Sequence, residues 1–251
     1  MTPESDSTAS TMSSSSSGAG EEWQGLVADG GEPLPASNRE VGFDGRIWSV
    51  VSEDVHFPGT TARRDVVLHP GAVAIIAIDA HDRVLLIRQY RHPVGQFLFE
   101  PPAGLMDALD ESGRQTAERE LAEEAGLRAR TWQVLLDVYL SPGGTSEAIR
   151  IFLARDLDSL EGGRVHTGEA EEAHLPRAWV PLEEAKELVL TGAIASPSAA
   201  AGILAAWAAR DAGWDSLRPA AAPWEARDRL IAHDRVRLPG SAEFGGDHSD
   251  R

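Results

Sequence analysis

Three glutamates stand close together in the stretch RELAEEAG, Arg119 to Gly126. Glu120, Glu123 and Glu124 are spaced i, i+3 and i+4, so a helix places them on one face, where like charges repel by roughly 0.2–0.5 kcal/mol per pair. Clustered carboxylates bind hard cations through oxygen, and Mg²⁺ combines one or two carboxylates with water and phosphate oxygens. The pattern therefore indicates metal-assisted attack on a phosphate, with a solvated acidic face as the alternative.

The helix that carries these acids has recognisable ends. Ser112 and Gln115 have the spacing of a capping box, and Gly126 is a C-terminal stop. Arg119 adjoins the acids, as an orienting ion pair would. An apolar stripe suited to packing lies beside the acids: Ala117, Leu121 and Ala125.

The rest of the chain divides by composition. Residues 1–37 are rich in serine and acidic residues and contain no Lys or Arg, which predicts a disordered tail. Regular structure is expected to begin near Arg46. We assign residues 38–69 to N-terminal strands, 70–213 to the main domain and 214–251 to a C-terminal extension and tail.

The main domain mixes strands and helices. Apolar or alternating runs predict strands at 47–57, 63–71, Ala72–Asp79, 84–90, Val134–Leu140 and Ile149–Ala154. Two further helices are predicted at 182–192 and Ser196–Gly213. Strands mixed with three helices in this order indicate an α/β sandwich.

Composition excludes several classes of protein. The formal net charge of −17 argues against a nucleic-acid or anionic-membrane surface, which needs clustered Lys and Arg. The chain has no cysteine, so disulfides and thiolate metal sites are excluded and a reducing cytoplasm is the expected location. The sequence contains neither a membrane-spanning apolar run nor a secretory signal pattern.

The acidic helix and the loop before it resemble the Nudix box. Gly104, Glu111 and the run from Arg119 to Leu127 follow the order of that motif. Six residues separate Gly104 from Glu111 where the family pattern has five, so Asp110 stands at the family's first glutamate position. Either the loop carries a one-residue insertion or Asp110 substitutes. The resemblance implies an α/β/α sandwich with a mixed sheet.

Two flanking segments resemble the ADP-ribose diphosphatase branch of that family. They are VLLIRQYRHPVGQFLFEPPAG before the box and SPGGTSE, with Pro142, after it. The resemblance, which covers roughly residues 45 to 210, implies hydrolysis of ADP-ribose to AMP and ribose 5-phosphate. It also implies a homodimer in which N-terminal strands, including residues 45–69, pair two subunits.

The resemblance assigns roles to the box residues. Glu120 and Glu124 are expected to be the principal metal ligands, with Glu123 and the carbonyl of Ala103 assisting. Roughly two or three Mg²⁺ or Mn²⁺ ions would bridge the diphosphate and activate water. Arg119 would orient the carboxylates.

The remaining expected roles lie outside the box. A glutamate in TGEAEEAHLP is expected to be the general base, Glu172 first, then Glu171 and Glu169, with a plain acidic loop as the alternative. Candidate substrate-binding residues are Arg91 and Arg88 for phosphate, Glu100 for the base, Glu147 for the ribose or metal region, and Trp48 and Tyr90 for stacking on adenine.

Two other functions remain open at this point. The same catalytic face would serve a Nudix hydrolase for another nucleoside diphosphate sugar, such as GDP-mannose. A binding module that senses ADP-ribose without cleaving it would tend to lose box glutamates, and here all three are present.

Overall fold

A computed structural model describes residues 22–23, 25–108, 110–164 and 175–238. The internal contacts divide the chain into Met1–Pro33 and Leu34–Arg251. All elements of regular structure among the described residues belong to the second unit. None of the described helices is long and apolar enough to cross a membrane.

The second unit begins with a three-stranded antiparallel sheet. Its strands are β1 (Ala36–Asp44), β2 (Ser49–Phe57) and β3 (Thr60–Leu68), in the order β1-β2-β3. β1 begins before the expected onset near Arg46, because its polar, half-exposed sequence carries little strand signal. The strands over 47–57 and 63–71 are confirmed with shifted ends.

A five-stranded mixed sheet forms the centre. Its strands are β4 (Ala72–Ala77), β7 (Ala103–Leu105), β8 (Leu127–Tyr139), β9 (Ala148–Ser159) and β11 (Arg218–Pro219), in the order β11-β8-β9-β4-β7. β4 runs parallel to β9, and β7 is an edge strand antiparallel to β4. Every residue of β4 is buried, which explains its continuous apolar sequence.

A second three-stranded sheet leads into the acidic helix. Its strands are β5 (Arg83–Arg91), β6 (Gln96–Glu100) and β10 (Arg177–Pro181), in the order β10-β5-β6. A 3-10 turn over His92–Val94 joins β5 to β6. The apolar run 84–90 predicts β5, whereas β6 and β7 are too short to be predicted from their sequences.

Four helices complete the described structure: α1 (Gly113–Ala125), α2 (Leu182–Leu190), α3 (Pro197–Asp211) and α4 (Glu225–Ala232). One apolar core joins α1 to one face of the central sheet, and a second joins α2 and α3 to the opposite face. The predicted α/β/α sandwich with a mixed sheet is therefore confirmed.

The C-terminal extension lies against the main domain. Arg150, only 4% exposed, forms two hydrogen bonds to Asp137 at 2.7 and 2.9 Å and donates to the carbonyls of Ala222 and Pro223, each at 2.7 Å. Trp224 is buried and completes the core beside α1. These contacts fix the start of the extension to the central sheet.

The end of the extension contacts the N-terminal sheet. Glu53 of β2, 3% exposed, forms ion pairs with Arg235 and, at 3.4 Å, with Arg39. Arg39 also pairs with Asp234 at 2.6 Å, and Arg237 pairs with Asp44 at 3.0 Å. The extension thereby ties the N-terminal strands to the main domain.

Candidate active site

Helix α1 begins and ends where its sequence predicts. Ser112 is the N-cap, and its side chain and that of Gln115 form the reciprocal bonds of a capping box. Gly126 ends the helix in a left-handed conformation at φ +63°. The stripe of small apolar residues is buried against the sheet, so the acidic positions fall at the edge beside β7.

Close approach of Gly104 to Glu120 sets the site's geometry. A Cβ at Gly104 would lie 1.9 Å from Oε1 of Glu120, a distance no side chain tolerates. Gly104 pairs with Val73 in the β4–β7 ladder, so its backbone has no freedom to withdraw. The glycine therefore lets a carboxylate lie directly on the edge strand.

Glu124 is held one helical turn further along α1. Its Oε2 accepts a 2.9 Å hydrogen bond from the backbone N–H of Ala103. Glu120 and Glu124 are only 8% and 6% exposed, which is unusually buried for glutamate side chains. The proposed ligand carbonyl of Ala103 belongs to the same residue that orients Glu124.

Arg119 links the carboxylates. Its Nη1 donates to Glu120 at 2.7 Å and to Glu123 at 3.2 Å, while its Nε lies 3.2 Å from Glu111. Burial alone would lower the pKa of Arg119, but the hydrogen bond with Glu111 and the neighbouring carboxylates raise it well above its usual value. Arg119 thus stays charged and contacts three acids; its role in orienting them stays a prediction.

Glu111, rather than Asp110, contacts Arg119 and so occupies the position of the first glutamate of the motif. Both of its oxygens contact the guanidinium, and Oε2 also accepts a 3.1 Å hydrogen bond from Thr116 Oγ1. Asp110 is exposed. The loop therefore accommodates one extra residue before Glu111, and Asp110 does not substitute for it.

Among the residues that the structure describes, carboxylates outnumber guanidinium groups at this face. Four glutamates cluster here: Glu111, Glu120, Glu123 and Glu124. Three described guanidinium groups lie nearby, those of Arg119, Arg164 and Arg177. Burial and the charge of Arg177 lower the pKa of Arg164, and the charge of Glu124 partly offsets that effect. Carboxylate and carbonyl oxygens with this surplus suit Mg²⁺ or Mn²⁺.

The described side chains do not yet surround a cation. Among them, no three carboxylate or imidazole groups converge closely enough to hold a metal ion as they stand. The reason is visible in the contacts of Arg119, whose Nη1 engages Glu120 and Glu123 together. The chemistry of the acids, and the space that Gly104 leaves for Glu120, fit divalent ions.

A second polar cluster lies where β5 and β6 end. Arg91 Nε donates to Glu100 Oε2 at 2.7 Å, and Ser196 Oγ donates to Glu100 Oε1 at 2.9 Å. Both oxygens of this buried carboxylate are therefore engaged. Glu100 holds Arg91 in place, and the terminal nitrogens of Arg91 form no hydrogen bond within the part of the chain that the structure describes.

Glu147 completes this cluster from the loop before β9. Burial raises the pKa of Glu147, and the charge of Arg91 opposes that rise. His69, at the end of β3, lies 3.9 Å from Glu147 through its Nε2. Burial lowers the pKa of His69 to about 4, so the ring is neutral at physiological pH.

Residues 68–199 match the NUDIX domain, more than half of the chain. The chain belongs to the Nudix family.

Individual relatives agree with that assignment. The chain is 40% identical to the ADP-ribose pyrophosphatase of Mycobacterium tuberculosis (strain ATCC 25618 / H37Rv) over 193 residues, which span 76% of this chain and 91% of the relative. It is 36% identical to the ADP-ribose pyrophosphatase of Bacillus subtilis (strain 168), over 59% of this chain and 78% of the relative. A crystal structure of an ADP compounds hydrolase superposes with a TM-score of 0.57 at 25% identity, covering 74% of this chain and 99% of that one.

The β5–β6 hairpin of this Nudix protein divides the expected substrate residues between two faces. Arg91 and Glu100 share one face, towards Glu147. Arg88 lies on the other face, with its guanidinium carbon 4.3 Å from the centre of the Phe97 ring. Tyr90 also lies there, 5.2 Å from Phe97 between ring centroids. Within one subunit, Arg88 and Tyr90 therefore do not line the cluster of Arg91.

Two other groups of expected residues stand apart. Trp48 is in the turn between β1 and β2, with 45% of its surface exposed. The candidate bases Glu169, Glu171 and Glu172 lie outside the residues that the structure describes. Their assignment stays a prediction.

Sequence reasoning missed His69 and Ser196. Each contacts an expected substrate residue across a large separation in the chain: His69 lies beside Glu147, and Ser196 beside Glu100. A lone histidine before Pro-Gly and a serine before a helix have common structural explanations. Only the fold, which brings β3 and the start of α3 to the same end of the sheets, reveals them.

Proposed function

We propose that this Nudix protein hydrolyses the diphosphate of ADP-ribose to AMP and ribose 5-phosphate in a reaction that requires divalent cations. The observation that carries the proposal is the acidic face of α1, where Glu120 lies directly against Gly104 of the edge strand and Glu124 accepts from the N–H of Ala103. The similarity to two ADP-ribose pyrophosphatases supports the choice of substrate.

Glu120, Glu124 and the carbonyl of Ala103 would hold two or three Mg²⁺ or Mn²⁺ ions, with Glu123 assisting. When bound, such ions neutralise the diphosphate and make water a stronger nucleophile. Arg119 keeps the carboxylates in place before the ions arrive, since it contacts Glu120 and Glu123 directly.

The protein's other groups position the substrate. Arg91, fixed by Glu100, donates to a phosphate oxygen, because a guanidinium binds phosphate with two parallel hydrogen bonds. Glu147 accepts from hydroxyl groups of the terminal ribose. Arg88, Tyr90 and Trp48, which lie elsewhere in the subunit, would act on adenine only if a second subunit supplies them.

The reaction itself consists of an attack by water on phosphorus and a transfer of the water's proton to a base. Water attacks one phosphorus in line, a new P–O bond forms, and the bond to the bridging oxygen breaks, releasing a phosphate monoester. A glutamate accepts the proton of the water, and we assign this role first to Glu172, then to Glu171 and Glu169.

We further propose a homodimer in which the N-terminal sheets pair the subunits. Large aromatic side chains are exposed on that sheet and on the β5–β6 hairpin: Phe43, Trp48, Phe57, Tyr90, Phe97 and Phe99. Exposed aromatic groups of this size are enriched at protein interfaces. Light scattering combined with size-exclusion chromatography tests this, and a monomeric mass would contradict it. The cytoplasmic location stays a prediction.

A substrate panel tests the function. ADP-ribose, ADP-glucose, GDP-mannose, NADH and diadenosine polyphosphates are incubated with Mg²⁺ and then with Mn²⁺, and the products are separated by chromatography. We expect preferential cleavage of ADP-ribose to AMP and ribose 5-phosphate. Preference for another sugar nucleotide would keep the metal site and reject the substrate, whereas binding of ADP-ribose without cleavage would indicate a sensor.

A further inference from the structure

The loop that carries Glu147 is joined to the end of strand β3. The N–H of Val67 donates to the carbonyl of Gly144 at 2.9 Å, and the N–H of Ser146 donates to the carbonyl of Val67 at 2.9 Å. The N–H of His69 then donates to Ser146 Oγ at 3.0 Å. These bonds fix the backbones on both sides, so the juxtaposition of His69 and Glu147 is built into the fold.

The orientation of the His69 ring determines where its proton lies. The backbone N–H of Gly71 donates to Nδ1 at 3.1 Å, so Nδ1 is an acceptor. A neutral ring must then carry its single proton on Nε2. Nε2 lies 3.9 Å from Oε1 of Glu147, so a donor is directed at the carboxylate about 1 Å beyond hydrogen-bond distance.

The carboxylate of Glu147 lacks donors among the described residues. Its side chain is 26% exposed and accepts no hydrogen bond from any described residue, although the backbone of Glu147 is bonded to Thr145 and Leu140. Arg91 lies near the Glu147 carboxylate, but its Nε donates to Glu100. A half-buried carboxylate of this kind is stabilised when a ligand brings donors to it.

We propose that His69 is a positioning residue for substrate recognition: its Nε2–H holds one oxygen of Glu147, so that the other oxygen accepts a hydrogen bond from a sugar hydroxyl. The inference rests on the proposed function and makes it more specific, since it names the groups that recognise the sugar beyond the diphosphate. A small rotation of Glu147 closes the 3.9 Å gap when the substrate binds.

Two substitutions of His69 separate this role from a packing role. In His69→Asn, the side-chain oxygen can accept from Gly71 as Nδ1 does, but the distal donor is lost. In His69→Gln, the amide N–H can reach the place of Nε2. Glu147→Gln and the double variant with His69→Asn complete a cycle, and His81→Asn, at an exposed turn, is the matched control.

KM and kcat for ADP-ribose are measured with Mg²⁺ for each variant, together with the melting temperature. We expect His69→Asn to raise KM about tenfold with kcat changed less than about twofold, and His69→Gln to recover most of that loss. In the Glu147→Gln background, His69→Asn should have no further effect on KM.

Unchanged KM in His69→Asn, equal losses in both His69 variants, or an undiminished effect in the Glu147→Gln background would overturn the proposal. The wild-type protein separates this failure from failure of the proposed function. If wild type cleaves a different sugar nucleotide, the function is wrong and the same cycle is run on that substrate, whose sugar hydroxyls test the same pair.

Discussion

Buried glutamates occur in two regions of this molecule, and their surroundings differ. Glu53 in the N-terminal sheet contacts two arginines, Arg39 and Arg235, that come from different ends of the chain. On α1, Glu120 and Glu124 are almost as buried, yet they share their surroundings with further acids, and among the described residues the carboxylates there outnumber the guanidinium groups.

The difference in charge balance distinguishes a structural role for a buried glutamate from a functional one. A buried carboxylate that is fully paired stabilises the arrangement that pairs it, and removal of one partner is costly. A cluster that remains negative destabilises the empty protein and is stabilised by a bound cation. The Glu53 cluster therefore fixes the C-terminal extension, and the α1 cluster is the metal site that we propose.

The largest expected effect is on turnover at the acidic face. Glu124→Gln keeps an oxygen for the N–H of Ala103 but removes a negative charge from the metal site, so kcat should fall by about a thousandfold, or ~4 kcal/mol. Steady-state kinetics with ADP-ribose measure this. Glu118→Gln, which removes the exposed pair with Arg114 on the same helix, is the control and should retain activity. Unchanged kcat in Glu124→Gln would remove Glu124 from the site.

Gly104→Ala tests the close contact between the backbone of Gly104 and the carboxylate of Glu120. The added Cβ would lie 1.9 Å from Glu120 Oε1, so the carboxylate must move, and we expect kcat to fall about a hundredfold. Gly113→Ala is the matched control, since its Cβ would meet nothing closer than 3.6 Å. Equal activity of the two variants would contradict the geometry of the edge strand.

Glu53→Gln should show the opposite behaviour to Glu124→Gln. Loss of the charge leaves Arg39 and Arg235 against a neutral amide, so the free energy of unfolding should fall by about 3 kcal/mol. kcat should change less than about twofold. Urea denaturation measures the first quantity, with Glu40→Gln, which removes an exposed pair, as the control. A large loss of kcat without a loss of stability would contradict the structural role of Glu53.

We expect His69 to have a smaller, pH-dependent effect on the free energy of unfolding. Its pKa is lowered to about 4 in the folded protein from 6.5 in the unfolded chain, so the unfolded chain binds the proton first as the pH falls. This contribution to stability is complete above pH 6.5 and is lost towards pH 4, with about 2 kcal/mol lost between pH 7 and pH 5. Comparison of the wild type with His69→Asn by urea denaturation at both pH values isolates it. Equal pH dependence in the two proteins would show that His69 titrates normally.

Removal of residues 1–33 should have the smallest effect. These residues form a unit separate from Leu34–Arg251, which contains every described strand and helix. Activity, melting temperature and molecular mass should all stay unchanged after deletion. A lost dimer would show that the N-terminal segment contributes to assembly.

The sequence was most informative where local rules act. Caps at Ser112 and Gly126 and the apolar runs of β4 and β5 predicted their elements, because side-chain spacing encodes them directly. It was least informative where long-range contacts decide. The short edge strand β7 carries no periodic signal, and the choice between Asp110 and Glu111 depends on which one reaches Arg119.

The expected substrate residues show the same limit. Arg88 and Arg91 are indistinguishable by type, yet strand alternation sends them to opposite faces of the hairpin. Glu100 was expected to reach the base, and the structure engages both of its oxygens with Arg91 and Ser196. Such partners are set by tertiary packing, so the residue type at a single position does not reveal them.

Binding of Mn²⁺ to the wild type, Glu124→Gln and Glu53→Gln, followed by electron paramagnetic resonance, tests the proposed metal site most sharply. We expect Glu124→Gln to weaken Mn²⁺ binding by at least about tenfold and Glu53→Gln to leave it unchanged. Equal Mn²⁺ affinity in the wild type and Glu124→Gln would contradict the assignment of the α1 glutamates as the metal site.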